Sequence, residues 1–548
     1  MSGRPPALTM RHRLDAGPVQ RSGSLAPYRS VAEVEGEPHS IRADVVGDAA
    51  IASVKTDGRA IACFVHITDL HVTDVDSPAR FEFINREYAD PRFRELLPMF
   101  RAQEALNAHA IDALVQTINR IGSGPLTGMP LELVAMTGDA VDNVQGNELA
   151  AFMALLDGGV VQPNSGGRAY EGVQSTGWPD DFFWKPDGAH DDQYQKALGF
   201  PQMPGLLERA LHPFEAEGLN LPWIGCHGNH EEVCQGVGIV NRALAAAVVG
   251  PRKPFRLPDG IDFDTVIEQF VQRPEVFMSG PYVDVTPDRD RRQFVLGEFL
   301  DAHMQSDRQP AGHGFTAENL AAGSAYYVHD AAAVRFITLD TACPGGGAEG
   351  CITEGQLHWL ERRLEEVHSS FPSRDGTAVR TSNKDRLVVI LSHHPFASLT
   401  NQRAHPPGAK SGGGDSDAAH ADPRRLEATL LRFGNVVLWL NGHIHANHVR
   451  AHRDEGREGG GFWEVTTSAV VDWPCQGRVV EIVEVGDGWL AIACTMVDHE
   501  GSELGALHRE LAGNEPGAGF GSGRAGAPLD RNVVLPVRSP FPMAERGD

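Results

Sequence analysis

The sequence has no long apolar run and is poor in basic side chains. No apolar stretch approaches the roughly 18 residues that a membrane-spanning helix needs, so we expect no membrane partner. Lys and Arg total 48 against 73 Asp and Glu, which gives a formal charge of −25. Nucleic-acid binding depends on cations that neutralise phosphates. The charge therefore argues against a dedicated nucleic-acid-binding protein.

Cysteine is also scarce. The seven cysteines are odd in number, widely spaced and without a CxxC pair, which indicates reduced thiols rather than a disulfide scaffold. Cys343 and Cys351 flank a Gly-rich loop and could bridge, although free thiols are favoured there too. The N-terminal segment has no apolar stretch typical of a secretory signal, so we expect a cytoplasmic location.

Apolar residues, by contrast, are plentiful. They make up 41% of the chain and charged residues 22%, a balance that favours a globular protein with a large core over a disordered one. The chain also has 24 histidines in 548 residues. Because histidine serves both as metal ligand and as proton donor, the placement of these residues is informative.

Short apolar runs and amphipathic segments predict the secondary structure. Five runs rich in β-branched or aromatic residues predict buried strands, at residues 61–67, 131–136, 221–226, 387–391 and 436–440. Apolar positions at helical spacing predict helices at residues 101–121, 356–368 and 423–433. Asp422 should cap the last of these, and Gly434 should end it. Strands that alternate with helices indicate an α/β architecture.

Composition divides the chain into three parts. Residues 1–58 are rich in Pro, Gly and Arg and predict an extension that wraps the domain edge, with one strand near 41–46. Residues 59–500 form the main domain, with insertions at about 145–220 and 401–421, the second expected to be a mobile loop. Residues 501–548 form a tail that packs on the domain or extends from it, with a low-complexity, flexible stretch at 513–528.

Polar residues of metal-ligand type follow each of the five predicted strands. They are Asp69 and His71 in TDLH; Asp139, Asp142 and Asn143 in TGDAVDN; Asn229 and His230 in HGNHE; His393 and His394 in SHHP; and His443 and His445 in NGHIH. Because the carboxyl ends of parallel strands share one edge of a sheet, these side chains can converge although they lie far apart in sequence.

Each motif is weak by itself. Asp69 and His71 alone would more often be a surface pair, and Asp139 after a glycine would more often serve as a turn residue or helix cap. An isolated HHP would usually be a loop with a capping histidine. The GNHE string is rarer. All five motifs occur in order, each directly after a strand, and this combination favours a metal site over coincidence.

The ordered set D-x-H, G-D-x-x-D, G-N-H-E, H-H-P and G-H-x-H resembles the calcineurin-like metallophosphoesterase superfamily. The strings HITDLHVTDVDSPARFEF, TGDAVDNVQGNEL and PWIGCHGNHE are similar to a subgroup of large metallophosphoesterases described from actinobacteria. The resemblance covers roughly residues 60–500, and DRNVVLPV near 530–537 resembles the C-terminal end of that subgroup. The motifs are specific for the chemistry of the superfamily and not for a substrate.

The resemblance implies a four-layer α/β/β/α sandwich with two mixed sheets and two metal ions between them. The first ion would take Asp69, His71, Asp139 and His445. The second would take Asp139, Asn229, His393 and His443, so that Asp139 bridges the pair. Carboxylate, imidazole and amide donors suit Mn, Fe or Zn.

The resemblance also implies roles for nearby residues. His230 matches the histidine that contacts phosphate and assists the leaving group. Asp142, Asn143, His394 and Asn447 are weaker candidates, for support of the ligands or for substrate contact. Asp142 stands where purple acid phosphatases have a tyrosine ligand, so an Fe(III)–tyrosinate centre is not expected.

The function implied is that of a phosphoester hydrolase. Two metal ions would activate a bridging hydroxide that attacks phosphorus in line, in a small phosphomonoester or phosphodiester. One alternative is a nuclease of the same superfamily, which the charge of −25 disfavours because a nuclease needs a basic groove. Another is a non-catalytic protein-binding scaffold, which the complete set of expected ligands disfavours. The sequence leaves the substrate, the metal pair and the oligomeric state open.

Overall fold

The computed structural model describes residues 8–45, 58–167, 169–188, 192–331, 333–401, 419–457 and 459–543. Two central sheets dominate this part of the chain. Its strands are β1 His12–Arg21, β2 Tyr28–Glu35, β3 Ser40–Ile41, β4 Arg59–Ile67, β5 Val134–Met136, β6 Gly159–Val161, β7 Phe214–Ala216, β8 Trp223–Gly225, β9 Arg252–Pro254, β10 Tyr282–Asp284, β11 Tyr327–Ala331, β12 Val334–Thr338, β13 Ser370–Pro372, β14 Ala378–Arg380, β15 Leu387–Leu391, β16 Val436–Asn441, β17 His448–Arg453, β18 Gly461–Thr466, β19 Gln476–Gly486, β20 Trp489–Asp498 and β21 Val533–Arg538.

Helices connect many of these strands. The α-helices are α1 Asn107–Ile121, α2 Gly146–Asp157, α3 Gln193–Leu198, α4 Leu206–Ala210, α5 Asn229–Glu232, α6 Arg242–Val248, α7 Val266–Gln272, α8 Leu296–Met304, α9 Ala317–Ala322, α10 Glu354–Glu365, α11 Pro423–Arg432 and α12 Glu503–Asn514. Among the described residues, none of the helices combines the length and the apolar character needed to cross a membrane.

Both central sheets are mixed. The larger has seven strands in the order β3-β21-β20-β19-β4-β5-β8, in which β4, β5 and β8 are parallel. The smaller has six strands in the order β11-β12-β15-β16-β18-β17, in which β12, β15, β16 and β18 are parallel. Except for β8 at the edge of the larger sheet, these parallel strands lie inside their sheets, where both faces are covered, and this explains their continuous apolar sequences.

Three apolar clusters separate four layers. One lies between the sheets and includes Phe64 of the larger sheet with Val389 of the smaller. A second packs α1 and α2 on the outer face of the larger sheet. A third packs α10 and α11 on the outer face of the smaller sheet. In β15 the side chains alternate, because Val389 faces the other sheet while Val388 and Ile390 face the helices. The structure confirms the predicted α/β/β/α sandwich.

The predicted elements of the main domain are present, with shifted ends. The strand predicted at residues 387–391 has the same bounds in the structure, whereas only Val134–Met136 of the strand predicted at 131–136 is formed. The first predicted helix starts at Asn107 instead of residue 101, because a short 3₁₀ turn precedes it. Asp422 caps α11 as predicted, since its side chain accepts a hydrogen bond from the backbone N–H of Arg424, but the helix ends at Arg432.

The N-terminal extension contains strands that the sequence did not predict. Its main feature is the antiparallel hairpin of β1 and β2, which the sequence did not indicate because few of its side chains are buried. The strand expected near 41–46 is only Ser40–Ile41, which pairs in parallel with β21, and Val46 lies outside the described residues.

The Gly-rich stretch 513–528, predicted to be flexible, is folded onto the domain. Its turns close through backbone hydrogen bonds, such as that from Phe520 N to the Gly513 carbonyl oxygen (2.7 Å). The carbonyl oxygen of Arg524 accepts from Asn447 N (2.9 Å) in the main domain. Glycine allows the backbone conformations that such turns need, so a Gly-rich composition does not by itself distinguish a flexible segment from a folded one.

The insertions and the thiols complete the comparison. Phe183 and Trp184 of the 145–220 region are buried in an apolar cluster with Phe100, so this insertion is packed against the domain. Most of the predicted loop 401–421, residues 402–418, lies outside the described residues. All seven cysteines are free and buried, including Cys343 and Cys351.

Candidate metal centre

The strand registers bring the five motifs to one edge of the two sheets. Ile67 of β4 pairs with Met136 of β5, which in turn pairs with Gly225 of β8. In the other sheet, Leu391 of β15 pairs with Leu440 of β16. Each motif therefore begins at the same level, directly beyond the last paired residues. Parallel register explains how residues spread from 69 to 445 meet in one crevice.

Left-handed backbone is concentrated in these loops. Five of the seven predicted ligands have positive φ angles: Asp69 (51°), His71 (46°), Asp139 (53°), His443 (69°) and His445 (51°). For residues other than glycine this conformation costs about 1 kcal/mol or more and persists only where the surroundings enforce it. The clustering of such residues at one crevice is typical of a functional site.

The first predicted ligand set converges tightly. The Nε2 atom of His445 lies 3.3 Å from Oδ1 of Asp69 and 3.2 Å from Nε2 of His71. His71 Nε2 is also 3.7 Å from Oδ2 of Asp139. One ligand atom each from Asp69, His71 and His445 lies within 4.8 Å of the others, and all three residues are buried. These distances suit a single cation among the four side chains.

The second predicted set adjoins the first through Asp139. Its Oδ2 atom lies 3.1 Å from Nε2 of His393. Asn229 donates from Nδ2 to the Gly236 carbonyl oxygen (3.0 Å), which leaves its Oδ1 as the free acceptor. The His443 ring lies 5.2 Å, centre to centre, from that of His393, and its backbone N–H donates to Asp69 Oδ2 (3.0 Å).

One orphaned atom tests whether this set fits a cation. Asn229 Oδ1 is buried and has no hydrogen-bond partner among the described residues. Buried polar atoms are almost always satisfied, so this oxygen calls for an explanation. His393 Nε2 is buried too, and it lies 3.1 Å from the carboxylate oxygen of Asp139. An amide oxygen and an imidazole nitrogen beside a buried carboxylate are donors suited to Mn, Fe or Zn. The residues present therefore fit a metal ion.

Hydrogen bonds on the opposite side of each imidazole fix the rings. His393 Nδ1 is 2.8 Å from the Thr137 carbonyl oxygen, and His445 Nδ1 is 2.6 Å from Oδ2 of Asp472. His71 Nδ1 is 3.2 Å from Oδ1 of Asp142. An acceptor at Nδ1 places the proton there and leaves Nε2 as the donor to a metal.

The loop that carries Asp139 is held by Glu231. The Glu231 carboxylate accepts hydrogen bonds from the backbone N–H groups of Asp139 (2.9 Å), Ala140 (2.7 Å), Val141 (3.1 Å) and Gly228 (2.7 Å). Gly228 is required by close approach, since a Cβ atom there would lie 2.3 Å from Asp139 Oδ1. The glutamate of the GNHE motif therefore orients the loop of the predicted bridging ligand.

The electrostatics favour anionic carboxylates. Burial would raise the pKa of Asp69, but the neighbouring His445 and His71 outweigh it and hold that pKa well below its usual value. The pKa of Asp139 is lowered in the same way: burial would raise it, but the nearby His393 and His230 outweigh that effect. Burial, together with His393, lowers the pKa of His443 to about 3. Anionic carboxylates and a neutral imidazole are the protonation states that metal binding requires.

The Asp139 carboxylate favours a second proton on His393. Burial would lower the pKa of His393, but the Asp139 carboxylate at 3.1 Å raises it to about 9. A proton at this position satisfies the carboxylate in the same way as a cation would. Metal binding should displace it, because only the neutral imidazole is a ligand.

The weaker candidates have different surroundings. Asp142 contacts His71 and also pairs with Arg80 and with Gln235 Nε2 (2.6 Å). His394 is buried, with Nδ1 2.9 Å from Thr341 Oγ1 and Nε2 3.0 Å from the Ala348 carbonyl oxygen. Asp142 thus supports a predicted ligand, while both ring nitrogens of His394 already have partners.

The two asparagines hydrogen-bond away from the predicted ligands. Asn143 donates to the Ala79 carbonyl oxygen (2.8 Å) and accepts from Gln235 N (3.0 Å). Asn447 accepts from Ser468 N (3.1 Å) and Arg478 Nη2 (3.0 Å). These contacts fix loops around the crevice.

The structure adds residues that sequence reasoning missed. Asp472 contacts His445, accepts from Arg101 Nε (2.9 Å) and pairs with Arg524 of the tail. Burial would raise the pKa of Asp472, but the two arginines and His445 hold it well below its usual value. Asp472 lies in VVDWP, which has no metal-site pattern, so no sequence signal marks it.

Asp472 should affect metal affinity through its contact with His445. Loss of its charge in Asp472→Asn weakens the anchor at His445 Nδ1, and removal of such a partner typically lowers metal affinity about 10–100-fold. Competition titration with a chelator measures this affinity. Arg524→Gln, which removes a partner of Asp472 without touching His445, is the control and should have a smaller effect. Equal affinities in wild type and Asp472→Asn would contradict the role.

Comparisons with known proteins add little. No family model matches this chain, and no curated protein matches it. Among solved structures, the chain is similar to a dimetal phosphatase from Danio rerio, with 12% sequence identity over 80% of this chain and 100% of that chain, at a TM-score of 0.34. This similarity is too distant to indicate a function. The crevice itself is therefore the basis for a functional conclusion.

Proposed function

We propose that this chain is a metal-dependent phosphoester hydrolase with a centre for two cations. The observation that carries the proposal is the convergence of buried carboxylates and imidazoles in one crevice, together with the buried Asn229 Oδ1, which has no hydrogen-bond partner among the described residues. One cation would be held by Asp69, His71, Asp139 and His445, and the other by Asp139, Asn229, His393 and His443. Mn, Fe and Zn match these donors.

Two such cations, when bound, would polarise a phosphoryl group and lower the pKa of a coordinated water. The protein supplies the positions. Asp139 Oδ2 lies between His71 Nε2 (3.7 Å) and His393 Nε2 (3.1 Å), which places one carboxylate oxygen against both ligand sets. The hydrogen bonds from Glu231 and the left-handed backbone fix this oxygen before any substrate arrives, so little reorganisation is needed.

We propose His230 as the proton donor. Its Nδ1 lies 2.6 Å from the Asp142 carbonyl oxygen, so Nδ1 carries a proton and Nε2 is directed to the crevice, 4.0 Å from Asp139 Oδ2. Its side chain is 17% exposed, which leaves it within reach of a ligand. Burial lowers the pKa of His230, and an anionic phosphoryl group beside Nε2 would raise it again. We assign to His230 protonation of the leaving oxygen.

The proposed substrate is a small phosphomonoester or phosphodiester. The charge of −25 opposes association with a polyanion, which disfavours a nuclease. A protein-binding scaffold has no use for a buried, unpartnered ligand atom, whose burial lowers stability. These two arguments make the small-ester hydrolase the preferred function among the three.

Metal analysis combined with a substrate panel tests the proposal. We expect about two Mn, Fe or Zn ions per chain by mass spectrometry, loss of activity on chelation and recovery on addition of one of these metals. Small phosphomonoesters or phosphodiesters should be hydrolysed faster than DNA. A protein that binds no metal and hydrolyses no ester would contradict the proposal. Sub-micromolar binding to duplex DNA at physiological salt, or faster metal-dependent cleavage of DNA, would favour the nuclease.

A further inference from the structure

A second cavity lies outside the metal centre. It has a volume of about 540 Å³ and is lined by the start of the N-terminal hairpin, the end of β20 and helix α12. A backbone bridge between Leu8 and Val497 and a hydrogen bond from Leu14 N to Asp498 Oδ2 (3.2 Å) hold the hairpin over β20. The volume falls in the range of small-molecule sites, and none of the candidate metal ligands lines the cavity.

Arg509 on α12 lines this cavity and is 4% exposed. One of its guanidinium nitrogens, Nη2, donates to the His499 carbonyl oxygen (2.7 Å), and the structure gives it no ion pair with any described residue. Its Nε atom is buried without a hydrogen-bond partner in the described part of the chain. Buried arginines are normally paired with an anion, because an unpaired buried charge is costly.

His499 lies beside Arg509 and has the same character. It is 2% exposed and lines the cavity, and both of its ring nitrogens are buried without partners among the described residues. Burial, with the nearby Arg509, lowers the pKa of His499 well below its usual value, so the ring is neutral and offers one N–H donor. A buried cation without a direct ion pair and an imidazole without hydrogen-bond partners, as judged among the described residues, therefore lie together on one wall.

The other charged side chains of the cavity have different surroundings. Glu33 pairs with His12 (3.1 Å), and Arg13 pairs with Asp15 and Glu37, while Arg11 is exposed. The Asp498 carboxylate accepts from Gln476 Nε2 (2.7 Å) as well as from Leu14 N; burial raises its pKa, and the nearby Arg509 opposes that rise. Asp498 and Glu500 are thus close enough to act on the Arg509 charge, but neither forms an ion pair with it within 4 Å.

The remaining wall is apolar. Leu8, Met10, Leu14 and Pro125 line the cavity, and Leu8, Met10 and Leu14 are only partly buried within the chain. Partly exposed apolar side chains around an open pocket gain stability when a ligand covers them. The cavity therefore combines one polar wall with an apolar one.

We propose that this cavity binds a small organic anion, with its carboxylate or phosphate head against Arg509 and His499 and its apolar body against Leu8, Met10 and Leu14. The site is separate from the metal centre, and its existence does not depend on the hydrolase activity. A head group with two or more acceptor oxygens would satisfy the Arg509 charge and the His499 N–H together.

Calorimetric titration of the full chain with three six-carbon probes tests the proposal. Hexanoate and hexylphosphonate carry the two head groups, and hexanol has the same apolar body without a charge. We expect at least one of the anions to bind at one site at least tenfold more tightly than hexanol. The stronger anion identifies the head group. Hexanol binding as tightly as both anions, or no binding by either anion at millimolar concentration, would overturn the proposal.

Variants locate the site. Arg509→Met should weaken binding of the stronger anion at least tenfold, while Arg242→Met, an exposed arginine on α6, should leave it unchanged. Asp139→Asn should also leave it unchanged, which separates this cavity from the metal centre. If Arg509→Met does not fold, His499→Phe serves in its place, since it removes only unpartnered nitrogens. Unchanged affinity in the folded variant, or loss of binding in Asp139→Asn, would assign the anion elsewhere.

Discussion

Asp139→Asn should lose most of its bound metal and its turnover should fall about 10³-fold or more. The carboxylate oxygen Oδ2 lies against both ligand sets, at 3.1 Å from His393 Nε2 and 3.7 Å from His71 Nε2. An amide at this position removes the shared negative charge that would hold two cations together. Loss of the several kcal/mol that a metal contributes to a transition state corresponds to at least this factor in rate.

Metal content per chain and kcat on a small phosphoester measure the effect together. Asp76→Asn is a matched control, because it makes the same chemical change at a buried carboxylate outside the predicted ligand sets. Burial and the nearby Asp74 raise the pKa of Asp76 to about 7, so a neutral side chain there is tolerated. Full metal occupancy with wild-type turnover in Asp139→Asn would refute the bridging assignment.

His230→Ala should keep its metal and its fold while turnover falls roughly 10²–10⁴-fold, the usual contribution of a positioned proton-transfer group. His230 is not needed to complete either predicted ligand set. Its Nδ1 is engaged by the Asp142 carbonyl oxygen at 2.6 Å, and its ring packs edge-on against His71 at 4.4 Å between centres. The remaining nitrogen, Nε2, is the one available to a leaving group.

The nature of the leaving group separates proton donation from other roles. Nitrophenolate departs without a proton, so the loss in His230→Ala should shrink for nitrophenyl esters and remain large for alkyl phosphates. The ratio of the two effects reports on the proton and is insensitive to a general loss of stability. The exposed His212→Ala is the control and should leave both rates unchanged.

Two results would require a different assignment. His71, Asp139 and His230 also have ligand atoms within 4.8 Å of one another, so loss of a metal in His230→Ala would identify His230 as a ligand. Full activity of the variant on an alkyl phosphate would place the acid elsewhere, with His394 as the next candidate. In the structure His394 has both ring nitrogens hydrogen-bonded, which argues for His230.

The sequence pattern by itself determined the α/β architecture and the main members of the crevice, whereas the four layers were implied by the family resemblance. Buried parallel strands have continuous apolar sequences, so both ends of the strand at residues 387–391 could be predicted correctly. The motif residues come directly after such strands, and parallel pairing carries them to a common edge. Asp69, His71, Asp139, His393 and His445 are brought together there. Local pattern was sufficient because each of these positions is tied to the end of a strand.

Only the tertiary structure decided the partners that hold this crevice in place. Asp472 reaches His445, and Arg101 and Arg524 reach Asp472, from segments with no recognisable pattern. The same holds for Arg509 beneath the N-terminal hairpin, which forms no ion pair within 4 Å in the described part of the chain. The contacts of Asp472 join residues 27, 52 and 371 positions apart, and they depend on how these segments pack. A lone charged residue in a sequence does not reveal which partner the packing will give it.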